Sequence, residues 1–427
     1  MPDGRGGGRL LTAPSIERLD ERAFRTVQDG GPTILSERMD SVRSVALGFW
    51  VRQGRVHEAP DLAGVSHLLE HMVFKGTEGR TARELAWEIE RVGGTLDAYT
   101  THEATAFQAR VPVEHLELAV DILADLVFSP LLRATDLELE REVVLEEIAA
   151  LEESPEEVAF ELQAELLYGG HPYGQPIAGT AETVASMSLG SLRRVHETAY
   201  RPAHMVIAAA GAVEHERLLE LLARHLPEMR GPARADDGPV PAGSTGSRRV
   251  ERPGGRQSHL IAGSLTVPYR DPLRYAVVAA STALGAGMSS RLFQRIREDM
   301  GLAYSVYSFH CFFATAGHVG AYVGTRPETA DRAREILLEE LETLAGEGLR
   351  DDELADTRSQ LKGQILLSLE SPASRMNRLA GTALYDQPYR TVDEVARLID
   401  AVDAEATSAA TALFHPDRAA ILELAPV

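Results

Sequence analysis

The chain has 427 residues, with 43 Lys and Arg against 64 Asp and Glu and a formal net charge of −21. Its 44% apolar and 25% charged residues suit a globular protein of two or three domains and exclude a disordered, collagen-like or membrane-spanning chain. The acidic balance argues against a nucleic-acid backbone as main partner, and the single cysteine, Cys311, excludes an internal disulfide or a cysteine-cluster metal site.

Taken in chain order, residues 1–15 are glycine-rich and expected to be flexible. They lack the apolar stretch of a secretory signal, and no later apolar run reaches the roughly 18 residues that span a bilayer. A cytoplasmic protein with no membrane partner is expected. A strand is predicted over 43–51, RSVALGFWV, followed by Gly64-Val65-Ser66 and the helical stretch SHLLEHMVF. A second helix over 81–92 aligns Leu85, Ile89 and Val92 and stops at Gly93-Gly94. The segment TLDAYTTHEATAFQARV reads as two strands around a short turn. Leu116, Ala119, Val120, Leu123 and Val127 form a helical stripe ending at Pro130. Further helices are predicted at 135–152, 155–167, 182–199 and 214–226, with a buried strand at 205–213.

Residues 230–256 are rich in Gly, Pro, Ser and charge, without periodicity, and read as a linker. The second half opens with a strand at 258–267. Helices follow over 271–284 and 288–299, then strands over 303–325, then helices to the end. This order resembles that of the first half, as a diverged duplication would. The domain plan is a flexible N-terminus over 1–15, a first domain over 16–229, a linker over 230–256 and a second domain over 257–427.

The segment richest in chemistry is His67-Leu68-Leu69-Glu70-His71. On a helix, His67 and His71 are one turn apart and project from the same side. Two imidazoles so placed can grip one divalent cation, with Glu70 beside it and Leu68 and Leu69 anchoring the helix behind. A catalytic zinc takes a third protein ligand. The predicted helix over 135–152 offers one. On a wheel of about 100° per residue, Leu137, Val143, Val144, Ile148 and Leu151 fall in one apolar arc. Glu140 and Glu147 fall inside that arc, whereas Glu138, Glu142 and Glu146 point away. A carboxylate on a core-facing stripe is costly unless it is paired or binds metal.

The motif His67-x-x-Glu70-His71 followed by Glu147 resembles the inverted-zincin signature of the insulinase/pitrilysin (M16) peptidase family. GVSHLLEHMVFKGT, ERVGGTLDAYTTHEAT, EREVVLEEIAALEESPEE and HPYGQPIAGT extend the resemblance through the first half. GAGMSSRLFQRIREDMGLAYSVYS and LKGQILLSLESPASRMNRL extend it through the second. The two-half layout is most similar to bacterial relatives of the mitochondrial processing peptidase.

The resemblance implies His67, His71 and Glu147 as zinc ligands, one Zn2+ per chain, and Glu70 as general base in a zinc metalloendopeptidase acting on peptides or unfolded segments. It implies that Glu140 orients a ligand imidazole. Arg297 and Tyr304, in RIREDMGLAY, match a family pair that holds substrate carbonyls. Residues 95–107 match an edge strand that docks substrate, centred on Asp97 and Ala98. Many relatives carry Asn where this chain has Asp97, and a carboxylate cannot supply an amide donor. Glu103 reads as structural, and His57, His102, His171, His204 and His310 lack metal-ligand spacing. The implied fold is α+β: two similar halves, each a mostly antiparallel sheet with helices on one side. Because the metal motif and the Arg/Tyr pair coexist in one chain, a homodimer closing a chamber is expected, with no nucleic-acid partner. The competing reading is a non-catalytic scaffold subunit of the same family.

Overall fold

The computed structural model describes residues 15–227, 231 and 238–427. The predicted flexible N-terminus lies almost wholly outside these residues, as does part of the predicted linker.

Two sheets organise the chain. The first contains β1 (Ile16–Arg18), β2 (Ala23–Val27), β3 (Thr33–Arg38), β4 (Ser44–Val51), β5 (Thr95–Thr100), β6 (Thr105–Pro112) and β7 (Met205–Gly211), in the order β1-β2-β3-β7-β4-β6-β5. Its helices are α1 (Val65–Val73), α2 (Ala82–Glu90), α3 (Leu116–Phe128), α4 (Ala134–Glu153), α5 (Pro155–Tyr168), α6 (Ala181–Ser186), α7 (Leu189–Ala199) and α8 (His215–His225). The second contains β8 (Gly246–Arg252), β9 (Ser258–Thr266), β10 (Ala303–Phe312), β11 (Gly317–Thr325) and β12 (Ala420–Pro426), in the order β10-β11-β9-β12-β8. With it go α9 (Arg274–Gly285), α10 (Ala330–Glu347), α11 (Asp351–Ser368), α12 (Pro372–Leu384), α13 (Val392–Asp400) and α14 (Ala404–Thr411). None of the described helices is long and apolar enough to cross a membrane.

The predicted similarity of the halves is visible in strand order. The series β3-β7-β4-β6-β5 matches β8-β12-β9-β11-β10 position for position. In each series the first pair is parallel and the others are antiparallel. In this correspondence α1, between β4 and β5, matches α9, between β9 and β10. The sequence of α9, RYAVVAASTALG, has neither histidine nor carboxylate.

Each half also lends a helix to the other, so the sheets are not covered on one side only. Met376, Leu379, Ala380 and Ala383 of α12 bury against Leu35, Ala46, Trp50, Val206 and Ala208 of the first sheet. Ala159 of α5 packs with Ile261, Tyr322, Leu422 and Leu424 of the second. The uninterrupted burial of β7, MVIAAAG, follows from this double cover. Polar contacts lock the exchange: Arg52 donates to the carbonyls of Ala383 and Leu384 at 2.6 and 2.8 Å, and the Tyr307 hydroxyl donates to Glu156 at 2.7 Å. Glu103 accepts from the Tyr173 hydroxyl at 2.6 Å and from the Ala314 N–H at 2.8 Å, the structural use read for it from sequence.

Several predicted elements need correction. Strands β1, β2 and β3 precede the first predicted strand. The stretch read as linker contains β8, whose residues GSRRVER are mostly exposed and carry no apolar alternation; its parallel pairing with β12 makes it a strand. The chain ends on that strand, not on a helix. The helix predicted over 182–199 is two helices, because Ser188 caps α7 by accepting from the Ser191 N–H.

Candidate metal centre

The ligand-bearing helix α1 is anchored by the fully buried Leu68, Leu69, Met72 and Val73, which turns His67, Glu70 and His71 toward the other side. Its start is built around Glu58, which sequence reasoning missed. The buried Glu58 carboxylate accepts from the N–H groups of Gly64 and Ser66, both at 2.8 Å, satisfying donors that a helix start leaves unpaired. Arg55 lies 3.5 Å from it, and burial raises its pKa above the ordinary carboxylate value. Gly64 and Gly179 have φ of +90° and +77°, and a Cβ on either would collide with the carbonyl of Ala178 or Ala63. This backbone crossing explains why the HPYGQPIAGT segment belongs to the site.

Helix α4 brings the third donor. Leu137, Glu140, Val144 and Ile148 are buried, as the wheel predicts. Val143 is 43% and Leu151 38% exposed, and the Glu147 side chain is 44% exposed. That row of α4 looks outward over α1, so Glu147 sits at the edge of the apolar arc instead of within the core. Its Oε2 lies 3.6 Å from His67 Nε2 and 3.4 Å from His71 Nε2. The three donors lie within 4.8 Å of one another, the one such group of three found among the described residues. Donors bound tetrahedrally at zinc distances are separated by about 3.3 Å; the two separations from Glu147, 3.6 and 3.4 Å, approach this, and two imidazoles with one carboxylate are a donor set that suits zinc. His67 fits it in protonation too: burial, aided by neighbouring His71, lowers its pKa to about 4, leaving a neutral imidazole at neutral pH. Among the described residues His57, His102, His171, His204 and His310 join no such group.

Two further contacts define the centre. Glu140 Oε2 lies 3.3 Å from His71 Nδ1, and its Oε1 lies 2.6 Å from Lys75 Nζ. The wheel's second carboxylate therefore faces the ring nitrogen turned away from Glu147. Thr100, on β5, donates its hydroxyl to Glu70 Oε2 at 2.5 Å. Burial raises the Glu70 pKa, while the Thr100 hydrogen bond and His71 oppose that rise. Thr100 was not singled out from sequence. Its signal is period 2 along β5, where Leu96, Ala98 and Thr100 share the more buried face.

Strand β5 ends its sheet and pairs only with β6 among the described residues, so Asp97 and Ala98 do lie on an edge strand. The Asp97 carboxylate accepts from the Ala98 N–H at 3.0 Å. Arg297 and Tyr304 meet each other: Arg297 Nη1 donates to the Tyr304 carbonyl at 2.9 Å and its guanidinium lies 4.6 Å from the Tyr304 ring centroid. Tyr304 is 76% exposed at the start of β10, also an edge strand. Arg297 lies on a π-helical turn over Phe293–Asp299, where an α-helix was predicted.

Comparison with known proteins gives the family. Residues 33–181 match the insulinase family, peptidase family M16, and residues 186–361 match the M16 inactive domain. An uncharacterised zinc protease of Mycobacterium leprae is 38% identical over 394 residues, covering 90% of this chain and 87% of that protein. The chain belongs to the M16 peptidase family. The uncharacterised zinc protease YmxG of Bacillus subtilis is 37% identical, covering 92% of this chain and 96% of its own. Among solved structures, a protease from Helicobacter pylori superposes with a TM-score of 0.86 at 19% identity, covering 97% of this chain and all of that one. A Pseudomonas fluorescens M16 inactive domain superposes with a TM-score of 0.86 at 24% identity, covering 93% of this chain and 97% of that one. The stretch matching the inactive domain excludes His67, Glu70, His71 and Glu147, and includes α9, the donor-free counterpart of α1.

Proposed function

We propose that this M16 family member is a zinc-dependent metalloendopeptidase that hydrolyses peptides or unfolded polypeptide segments. The observation that carries the reading is the convergence of His67, His71 and Glu147 beside a carboxylate, Glu70, held by its own hydrogen-bond donor. One zinc ion per chain, when bound there, would supply a Lewis acid that acidifies water and polarises a carbonyl. Glu70 is the general base: Thr100 holds one carboxylate oxygen, and the other takes a proton from water and later delivers it to the departing amine. The β5 edge at Asp97 and Ala98 receives the substrate backbone by strand addition, which gives loose sequence preference. Arg297 and Tyr304 donate to the carbonyl oxygen as it gains charge. Because one chain carries both the metal motif and the Arg/Tyr pair, we propose that two copies face each other, each offering this pair to the metal centre of the other. Sedimentation under active conditions should then give a species of two chains; a monomer alone would refute this.

The test is digestion of a mixed peptide library, read by mass spectrometry, with parallel zinc analysis. One zinc per chain and cleavage that stops on chelation and returns with zinc are expected. Zinc-bound protein that cleaves nothing would favour the scaffold reading. Thr100→Val should lower kcat about 10- to 100-fold, the value of one hydrogen bond to a charged group, with little change in KM. Thr100→Ser should keep most of the rate. Equal rates in Thr100→Val and wild type would remove Thr100 from the mechanism.

A further inference from the structure

Away from the metal centre, the second half holds a cavity of about 420 Å³ between α9, α11, α12, α13 and β10. Leu361, Ile365 and Ile399 form an apolar side; Arg274, Arg378 and Arg390 are also in its wall, and no Asp or Glu is. In a chain of net charge −21, composition alone does not supply such a wall.

The arginines are held largely by neutral groups. Arg274 donates to the Tyr269 carbonyl and the Tyr275 hydroxyl, and lies 4.3 and 4.9 Å from the centroids of those rings. Arg378 donates to the Arg390 carbonyl and lies over the Tyr389 ring. Two carboxylates come near. Glu37 is 3.7 Å from Arg378 but is shared with Arg375. Glu394 feels Arg390, yet it caps α13 by accepting from the Thr391 N–H at 2.7 Å. Among the described residues the Arg390 guanidinium has no ion-pair partner. All three guanidiniums act on one half-buried phenol, Tyr269, opposing the rise that desolvation gives its pKa. Three cations thus share one wall of the cavity, two of them fixed in direction by hydrogen bonds and ring contacts.

We infer that this cavity binds a small organic carboxylate with an apolar body, the head on the arginines and the body against α11 and α13. A carboxylate accepts paired N–H groups from guanidinium and relieves the repulsion among the three cations. The cavity volume and its mixture of apolar wall with few charged groups are those of small-molecule sites. This inference stands apart from the peptidase reading.

The test is calorimetric titration of the full chain with 4-phenylbutanoate, using zinc-loaded and zinc-free protein. The uncharged isostere 4-phenylbutanamide and the variants Arg390→Gln and Ile365→Trp are the controls. Saturable binding of the acid, equal with and without zinc, is expected. It should weaken about 10-fold or more in the amide and in Arg390→Gln, and vanish in Ile365→Trp. The part-exposed Arg390 position keeps the test usable if the tryptophan variant fails to fold; its thermal midpoint checks this. No binding of the acid, equal binding of acid and amide, binding indifferent to Arg390→Gln, or binding lost with zinc would each overturn the inference.

Discussion

Replacing Glu70 with Gln should lower kcat/KM roughly 10²- to 10⁴-fold, about 3–5 kcal/mol of barrier, while the zinc content stays that of the wild type. The two parts of this expectation have separate structural grounds. Metal retention follows because the three converging donors belong to His67, His71 and Glu147, and Gln keeps the size of the side chain. It also keeps an oxygen that can accept the Thr100 hydroxyl, which Glu70 Oε2 accepts at 2.5 Å. Rate loss follows because an amide cannot take a proton from water. Zinc analysis and steady-state kinetics on one preparation decide the matter. A variant that keeps zinc and wild-type turnover would remove Glu70 as the base.

Replacing Glu147 with Ala should cost the metal itself. Its Oε2 stands 3.6 and 3.4 Å from the two Nε2 atoms, so its removal leaves two imidazoles from one helical turn. Zinc affinity should fall more than about 100-fold, beyond the roughly 10- to 100-fold typical of residues that only orient a ligand. Glu140→Ala provides the comparison, since Glu140 reaches only the Nδ1 side of His71, at 3.3 Å; its loss should fall within that smaller range. Competition with a chromogenic chelator measures both. Equal losses in the two variants would mean that Glu147 and Glu140 do not hold the separate roles assigned here.

The parts of the site that were legible in sequence are those whose geometry is local. His67 and His71 share a helix face because four residues make about one turn, and nothing distant alters that. Glu140 and Glu147 emerged from a wheel, and the wheel failed where tertiary context entered. It placed Val143 and Leu151 in the core, but that row of α4 borders open space over α1. Glu58 gave no periodic signal, since it caps a helix from across a turn. Strand β8 was unreadable for a related reason: its exposed, charged residues become a strand only through β12, some 170 residues later. The helix exchange is wholly non-local, and no pattern within α5 or α12 says which sheet each will cover.

That exchange has a consequence for how the molecule is made. While the ribosome has delivered only the first half, Trp50, Ala46 and Ala208 lie on a sheet face whose cover, α12, has not been synthesised. The nascent amino-terminal portion therefore carries a sticky apolar surface through most of translation, and α5 in turn waits for the last strand of the chain to complete its seat. The core that seats α1 and α4 is built from first-half residues alone, so a truncated product would keep that core while leaving one face of the first sheet bare.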